Sequence, residues 1–147
     1  MTSNSRVFGL TSDVARGVSR LMLELGHSPL LEFTLPNGRR LDLAAITSTG
    51  LIIGVEFKVS IDDFLGDTKW PEYLEFCDEY FFAVPDGFPE HLPPAAHGLI
   101  VADKFGAGIV RPSQMVSVSA PRRKALLIRF ARVAAERYAR LLDPGIS

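Results

Sequence analysis

The chain has 147 residues, 47% of them hydrophobic and 22% charged, and a net charge of −1. This balance excludes wholesale disorder, and we expect a single domain over residues 1–147 with a substantial core. The single cysteine, Cys77, excludes an intrachain disulfide. The chain has neither a signal-peptide core nor an apolar run of membrane-spanning length, so we expect a cytoplasmic protein with no membrane partner.

The order of predicted elements points to an α/β (α+β) protein. Ser12 and Asp13 predict the start of a helix that ends at Gly26, because apolar residues recur between them at helical spacing. We then predict strands over 29–35, 39–46, 51–59, 80–84, 99–102 and 108–111, helices over 61–66 and 71–77, and a long basic helix over 121–142. The order α-β-β-β-α-β, followed by β-β-α, predicts a mixed central sheet with an extra C-terminal β-hairpin.

The turns predict how the first three strands pair. If residues 36–38 form a three-residue loop with Gly38 left-handed, Glu32 lies opposite Asp42. A tight turn over 47–50 then places Asp42 opposite Glu56. The predicted apolar face carries Leu41, Leu43, Val55 and Phe57, and the predicted polar face carries Glu32, Asp42, Glu56 and Lys58.

The polar face predicts a metal site. The carboxylates of Glu32, Asp42 and Glu56 would repel one another unless a cation lay between them, and oxygen ligands suit Mg²⁺ or Mn²⁺. Such an ion lowers the pKa of a bound water, and Lys58 is placed to stabilise the attacking hydroxide or the developing phosphorane charge. The alternative is a solvated face with a cross-strand Asp42–Lys58 salt bridge of nearly neutral energy.

The combination of Asp42 on the second core strand with 56-EFK-58 on the third resembles the PD-(D/E)xK nuclease superfamily, with Leu41 in place of the motif's proline. A closer resemblance is to the MmcB-like group of DNA repair proteins. It is carried by residues 39–84, which include 62-DDFLGDTKW-70 and 76-FCDEYFFAV-84, and by 98-GLIVADKFGAGIVR-111 and 122-RRKALLIRFAR-132. These resemblances imply a restriction-endonuclease-like αβββαβ core and a metal-dependent DNA endonuclease or repair factor.

The superfamily resemblance also implies residue roles. Asp42, Glu56 and the backbone carbonyl of Phe57 would hold the metal, with Lys58 beside the water. Glu24, on the last predicted turn of the first helix, occupies the place where many members carry an additional acidic residue; alternatively it is a surface residue. Glu32 is a further candidate ligand, conditional on the three-residue loop.

Four residues are candidates for binding nucleic acid. Lys69 follows the helix that in the superfamily often contacts the scissile phosphate, and Trp70 adjoins it, with packing as its alternative role. Residues 121–142 carry seven basic residues against one glutamate, a local net charge of +6. Arg129 and Arg132 on this helix are predicted to meet DNA phosphates, with a solvated face as the alternative. The same helix is predicted to face the core through Leu127, Ala131, Ala134, Tyr138 and Leu141.

The predicted function is a DNA endonuclease of DNA repair that uses Mg²⁺ or Mn²⁺ and acts at the nucleoid. One alternative is a catalytically inactive nuclease-fold protein that binds DNA or acts as a repair scaffold. Another is a protein-interaction module whose basic helix is buried at a dimer interface. A homodimer and other repair proteins are therefore further candidate partners besides DNA.

Overall fold

Among the described residues, three α-helices, one 3₁₀ helix and six strands follow one another in the predicted order. The structure is a computed structural model that describes residues 3–146. Its elements are α1 (Ser3–Glu24), β1 (Ser28–Thr34), β2 (Arg40–Ile46), β3 (Ile52–Phe57), α2 (Ile61–Gly66), a 3₁₀ helix (Trp70–Phe76), β4 (Glu79–Pro85), β5 (Gly98–Asp103), β6 (Gly106–Arg111) and α3 (Ala120–Leu142). Within residues 3–146, no helix combines the length and apolar character needed to cross a membrane.

Helix α1 starts nine residues before the predicted start, at Ser3 rather than Ser12. The polar residues that looked like a cap lie inside the helix, because Leu10 extends the apolar stripe by one turn and packs against the same core as Val14. The predicted end is confirmed. Gly26 is left-handed (φ 80°), its N–H donates to the Leu23 carbonyl at 3.0 Å, and such a residue ends a helix without strain when it is glycine.

The six strands form one mixed sheet in the order β1-β2-β3-β4-β5-β6. The first three strands are an antiparallel meander. Strands β3, β4 and β5 run parallel to one another, and β6 returns antiparallel to β5 as the predicted hairpin. Strands β1 and β6 are therefore the two edges of the sheet.

The predicted registers of the first three strands are confirmed. Gly38 is left-handed (φ 84°), and the Leu35 N–H donates to the Arg39 carbonyl at 2.7 Å across the three-residue loop. Phe33 consequently pairs with Leu41. On the other side of β2, Leu43 pairs with Val55, as predicted from the 47–50 turn.

The assignment of one dry face and one wet face was wrong, because both faces of the sheet are covered. Helix α1 packs on one face over Leu43, Val55 and Phe57. The 3₁₀ helix and α3 cover the other, where Leu41 joins the core. Leu41 and Leu43 thus face opposite sides, since alternation is interrupted beside Glu32, which adopts a left-handed φ of 54°.

Helix α3 meets the sheet through only part of the predicted stripe: Leu127 packs against the core as predicted. Its one fully buried side chain among the described residues is Leu126, and Phe130 packs on Phe33 of β1 with ring centroids 5.7 Å apart. Ala131, Tyr138 and Leu141, assigned to the core by their spacing, are exposed. The helix lies beside edge strand β1, so only a narrow strip of its surface is covered.

A buried carboxylate joins α3 to the sheet. Asp78 has a fully buried side chain and accepts hydrogen bonds from the N–H groups of Ile52 at 2.7 Å and Val118 at 3.0 Å. Arg123 of α3 donates to both of its oxygens at 2.6 Å. Burial alone would raise the pKa of Asp78, but the bonds from Arg123 and the two N–H groups lower it below the ordinary value.

We therefore expect Asp78→Ala to lower the free energy of unfolding by about 3 to 5 kcal/mol, the usual cost of removing one partner of a buried ion pair. The lowered pKa means that Asp78 stabilises the fold fully above its ordinary value of 3.8 and loses that effect as the pH falls below it. Urea unfolding at pH 7 and in the acid range measures both effects. Glu72→Ala, which breaks the exposed pair with Arg39, is the control and should cost less than about 1 kcal/mol.

Candidate functional site

Asp42 of β2 and Glu56 of β3 meet where the backbone ladder between these strands has ended. The Asp42 N–H donates to Glu56 Oε1 at 3.1 Å, and the Phe57 N–H donates to Asp42 Oδ2 at 2.7 Å. Each carboxylate thus accepts an N–H from the neighbouring strand. The two acidic side chains are built into the sheet and are fixed relative to each other.

Burial controls the charge of this pair. Glu56 is only 5% exposed. Burial first, and then the charge of Asp42, raise the pKa of Glu56 to about 9. Burial also raises the pKa of Asp42, although the hydrogen bond from Phe57 opposes it. Without a further cation, the pair therefore retains a proton at neutral pH.

Lys58 lies in the same buried region, and its ammonium has a fixed partner. Its side chain is 6% exposed, and Nζ lies 2.6 Å from Asp67 Oδ2 and 4.0 Å from Asp63 Oδ1. Its charge acts on the pair, lowering the pKa of Asp42 and Glu56 by less than burial raises it. Sequence reasoning missed Asp67 as the residue that positions Lys58; the available signal was an acidic residue directly after α2.

The oxygen atoms of Asp42, Glu56 and Phe57 are of the kind that suits a divalent ion such as Mg²⁺. The N–H and C=O groups of a strand residue point to the same side, so the Phe57 carbonyl lies on the side of Asp42, to which its N–H donates. Within residues 3–146, no three His, Cys, Asp or Glu side chains are grouped so as to hold a metal. Two carboxylates and a carbonyl nevertheless suffice for Mg²⁺, which commonly takes one or two carboxylates and completes its shell with waters and phosphate.

The two additional acidic candidates have different positions. Glu32 lies at the interruption of β1, where it is not paired with Asp42 in the ladder but lines a hollow with it. Glu24 is exposed at the end of α1. Ser12 of α1 also lines that hollow, and Glu24 is about 18 Å further along the helix axis. The structure therefore does not bring Glu24 to the pair.

Asp42 can be reached from two hollows. The hairpin hollow, of about 540 Å³, is lined by Thr34, Gly38, Arg39, Arg40, Asp42, Glu56 and Tyr73. The helix hollow, of about 490 Å³, is lined by Thr11, Ser12, Ala15, Leu31, Glu32, Asp42, Phe57 and Arg137. Sequence reasoning missed Arg40, Tyr73 and Arg137 as neighbours of the site. Arg40 begins β2, and Tyr73 and Arg137 come from two helices that are distant in sequence.

The residues predicted to contact nucleic acid differ in their exposure and in the contacts they already make within the chain. Lys69 is exposed, and its backbone N–H donates to Asp67 at 2.8 Å, which places it beside the partner of Lys58. The Trp70 ring lies 5.2 Å from the ring of Phe82, so it contributes to the core.

On α3, the Arg129 Nε donates to the Thr34 carbonyl at 2.7 Å, which ties the helix to the sheet edge. Arg132 is exposed, with Glu136 at 3.9 Å. Arg132 therefore keeps its guanidinium at the surface, while one donor of Arg129 is occupied by the fold.

Comparison with known proteins identifies a family. The model of the family described as "DNA repair protein MmcB-like" matches residues 2–145. A solved structure, the SPO1766 protein of unknown function from Silicibacter pomeroyi, is 40% identical with a TM-score of 0.91, and the match covers 94% of each chain. No curated protein matches significantly.

The pKa of Glu56 is raised and the pKa of Asp67 is lowered, and this difference gives a stability test. Because the pKa of Glu56 is raised, the folded chain holds a proton that the unfolded chain releases above pH 4.5. The free energy of unfolding therefore falls as the pH rises from 4.5 through about 9. Glu56→Gln should remove that loss and, in chelator at pH 8, stabilise the protein by about 1 to 3 kcal/mol.

Asp67→Asn is the matched variant and should destabilise, because Lys58 loses its nearest carboxylate. Urea unfolding of both variants and the wild type at pH 5 and pH 8 measures the effects. An equal pH dependence in Glu56→Gln and the wild type would contradict the electrostatic assignment.

Proposed function

The chain belongs to the MmcB-like DNA repair protein family, and we propose that within DNA repair it is a divalent-metal-dependent DNA endonuclease with a restriction-endonuclease-like core. One observation carries the proposal: half-buried Asp42 and buried Glu56 each accept an N–H from the neighbouring strand, and the buried ammonium of Lys58 acts on both carboxylates. Holding two carboxylates and a lysine together with little access to water is costly, and titratable groups perturbed in this way cluster at functional sites.

Asp42, Glu56 and the Phe57 carbonyl are the proposed ligands. When bound, Mg²⁺ or Mn²⁺ supplies polarisation of the phosphate and a water of lowered pKa. Asp42 and Glu56 would release their retained proton to bind, because the cation replaces it as the counter-charge. The Phe57 N–H keeps the Asp42 carboxylate oriented toward β3, the strand that carries Glu56.

Lys58 is the proposed stabiliser of the negative charge that develops on the phosphate oxygens and on the attacking oxygen. Asp67 holds its ammonium at 2.6 Å, which keeps it oriented without a substrate. The hairpin hollow gives a phosphate access to Asp42 and Glu56 and is lined by Arg39 and Arg40. Arginines at such a rim suit the backbone phosphates of DNA.

A second candidate is a DNA-binding or repair scaffold without hydrolysis. The observation that favours it is the set of ligands: two carboxylates, with no third acidic, histidine or cysteine side chain completing a metal-binding group among the described residues. This candidate predicts DNA binding that is unaffected by chelator and by the Lys58 substitution described next.

Cleavage assays separate the two candidates. We expect Mg²⁺- or Mn²⁺-dependent cleavage within a panel of single-stranded, duplex, flap and mismatched DNA, reduced at least about 100-fold in Lys58→Met. Asp42→Asn should lose both cleavage and metal binding by calorimetry, whereas Lys58→Met should keep metal binding. Lys104→Gln, in the turn between β5 and β6, is the control. Metal binding without cleavage of any substrate would support the scaffold.

The salt dependence of DNA binding tests the exposed cations. Lys69→Gln should weaken binding and reduce the slope of log K against log salt by about 1, since one phosphate contact is lost. The double variant Arg129→Gln/Arg132→Gln should reduce the slope further if α3 meets DNA. Fluorescence anisotropy over a salt series measures both, with Lys104→Gln as the control. An unchanged slope in Lys69→Gln would remove that residue from the DNA interface.

A further inference from the structure

Helix α3 exposes a regular apolar stripe on the side that faces away from the sheet. Ile128, Tyr138 and Leu142 are 52%, 63% and 68% exposed, and Ala131 and Ala135 between them are also exposed. These five residues form the α3 seam. They are spaced alternately by three and four residues, the pattern by which one helix packs along another. Among the described residues of this 23-residue helix only Leu126 is fully buried, so the domain itself leaves the seam uncovered.

The basic residues of α3 mostly point toward its own domain. Arg123 binds Asp78, Arg122 lies over the Phe76 ring, Arg129 donates to Thr34, and Arg137 donates to the carbonyls of Leu31 and Glu32. The seam is therefore not a strongly cationic surface, although the sequence of the helix is basic. This favours an apolar partner over DNA or an anionic membrane.

We propose that the α3 seam packs against the α3 seam of a second copy of this chain, with the two helices antiparallel about a two-fold axis. In one register every seam residue finds a suitable partner. Ile128 meets Tyr138 of the second copy, and Ala131 meets its Ala135. The small alanines lie next to the axis and allow close approach, while the larger residues fill the layers outside them.

Charge complementarity selects this direction. Lys124 is exposed one turn before Ile128, in line with the seam. The antiparallel register brings it to Leu142 of the second copy, whose next residue is Asp143 at the helix C-terminus. There the lysine stem covers leucine, and the ammonium meets a carboxylate and the negative end of the helix dipole. A parallel pair would instead bring the two Lys124 residues together.

Arg132 flanks the seam near the proposed axis, where the two copies of it approach each other. Each already has Glu136 of its own helix at 3.9 Å. The group near the axis therefore contains two arginines and two glutamates and is neutral. The proposal rests on α3 alone and does not depend on the proposed catalytic function.

Analytical ultracentrifugation of the full chain over a concentration series tests the dimer. We expect a reversible dimer in the wild type, weakened at least about 30-fold by Tyr138→Glu, because a charge would replace a large side chain that the interface buries. Leu65→Glu is the matched control, because Leu65 of α2 is equally exposed at 62% but lies off the seam, and it should leave the dimer intact. A wild type that stays monomeric at the highest concentration overturns the proposal.

A charge exchange tests the register. Lys124→Glu and Asp143→Lys should each weaken the dimer, and the double variant should restore it, because the pair is re-formed with reversed signs. Failure of the double variant to restore the dimer overturns the antiparallel register. Vesicle flotation with anionic lipid and anisotropy with duplex DNA are run on Tyr138→Glu. If the wild type forms no dimer but binds vesicles or DNA, and Tyr138→Glu loses that binding, the seam is assigned to that partner instead.

Discussion

Two carboxylates held between adjacent strands, inside a sheet that is covered on both faces, set the main constraint on this structure. Asp42 and Glu56 each accept an N–H from the opposite strand, so neither can move without losing a hydrogen bond between β2 and β3. Their mutual repulsion cannot be relieved by turning to solvent, because Glu56 is buried. The surrounding sheet must therefore supply stability that this pair removes, and a cation or a proton must occupy the place between them.

Asp78 shows how the same fold treats a carboxylate that is only structural. It lies buried at the opposite end of β3 from Glu56, yet its pKa is lowered, since Arg123 and two backbone N–H groups satisfy both oxygens. Asp42 and Glu56 receive one N–H each and no arginine, and their pKa values rise. A carboxylate left short of donors retains affinity for an incoming cation. The number of hydrogen-bond donors at each carboxylate therefore distinguishes the candidate site from the structural ion pair.

The parts of the fold that follow from local chemistry could be predicted from sequence. Left-handed glycine at position 38 determined the hairpin, and with it the pairing that brings Asp42 to Glu56. What could not be predicted depends on distant contacts. The left-handed Glu32 shifts Leu41 to the other face, and covering of both faces buries Glu56 and Lys58. Glu24 lies away from the pair, because α1 presents its first half, near Ser12, to the helix hollow.

Helix α3 connects the candidate site with the proposed dimer. On its inner side, Arg137 donates to the carbonyls of Leu31 and Glu32 and lines the helix hollow beside Asp42. Tyr138, about 100° around the helix axis from Arg137, is exposed and belongs to the seam. Beyond Phe130 the helix has little buried surface of its own, so the contacts of Arg137 rely on a helix segment that the domain alone holds weakly. A second copy packed on the seam would hold that segment in place and, through Arg137, the edge strand that carries Glu32 into the hollow.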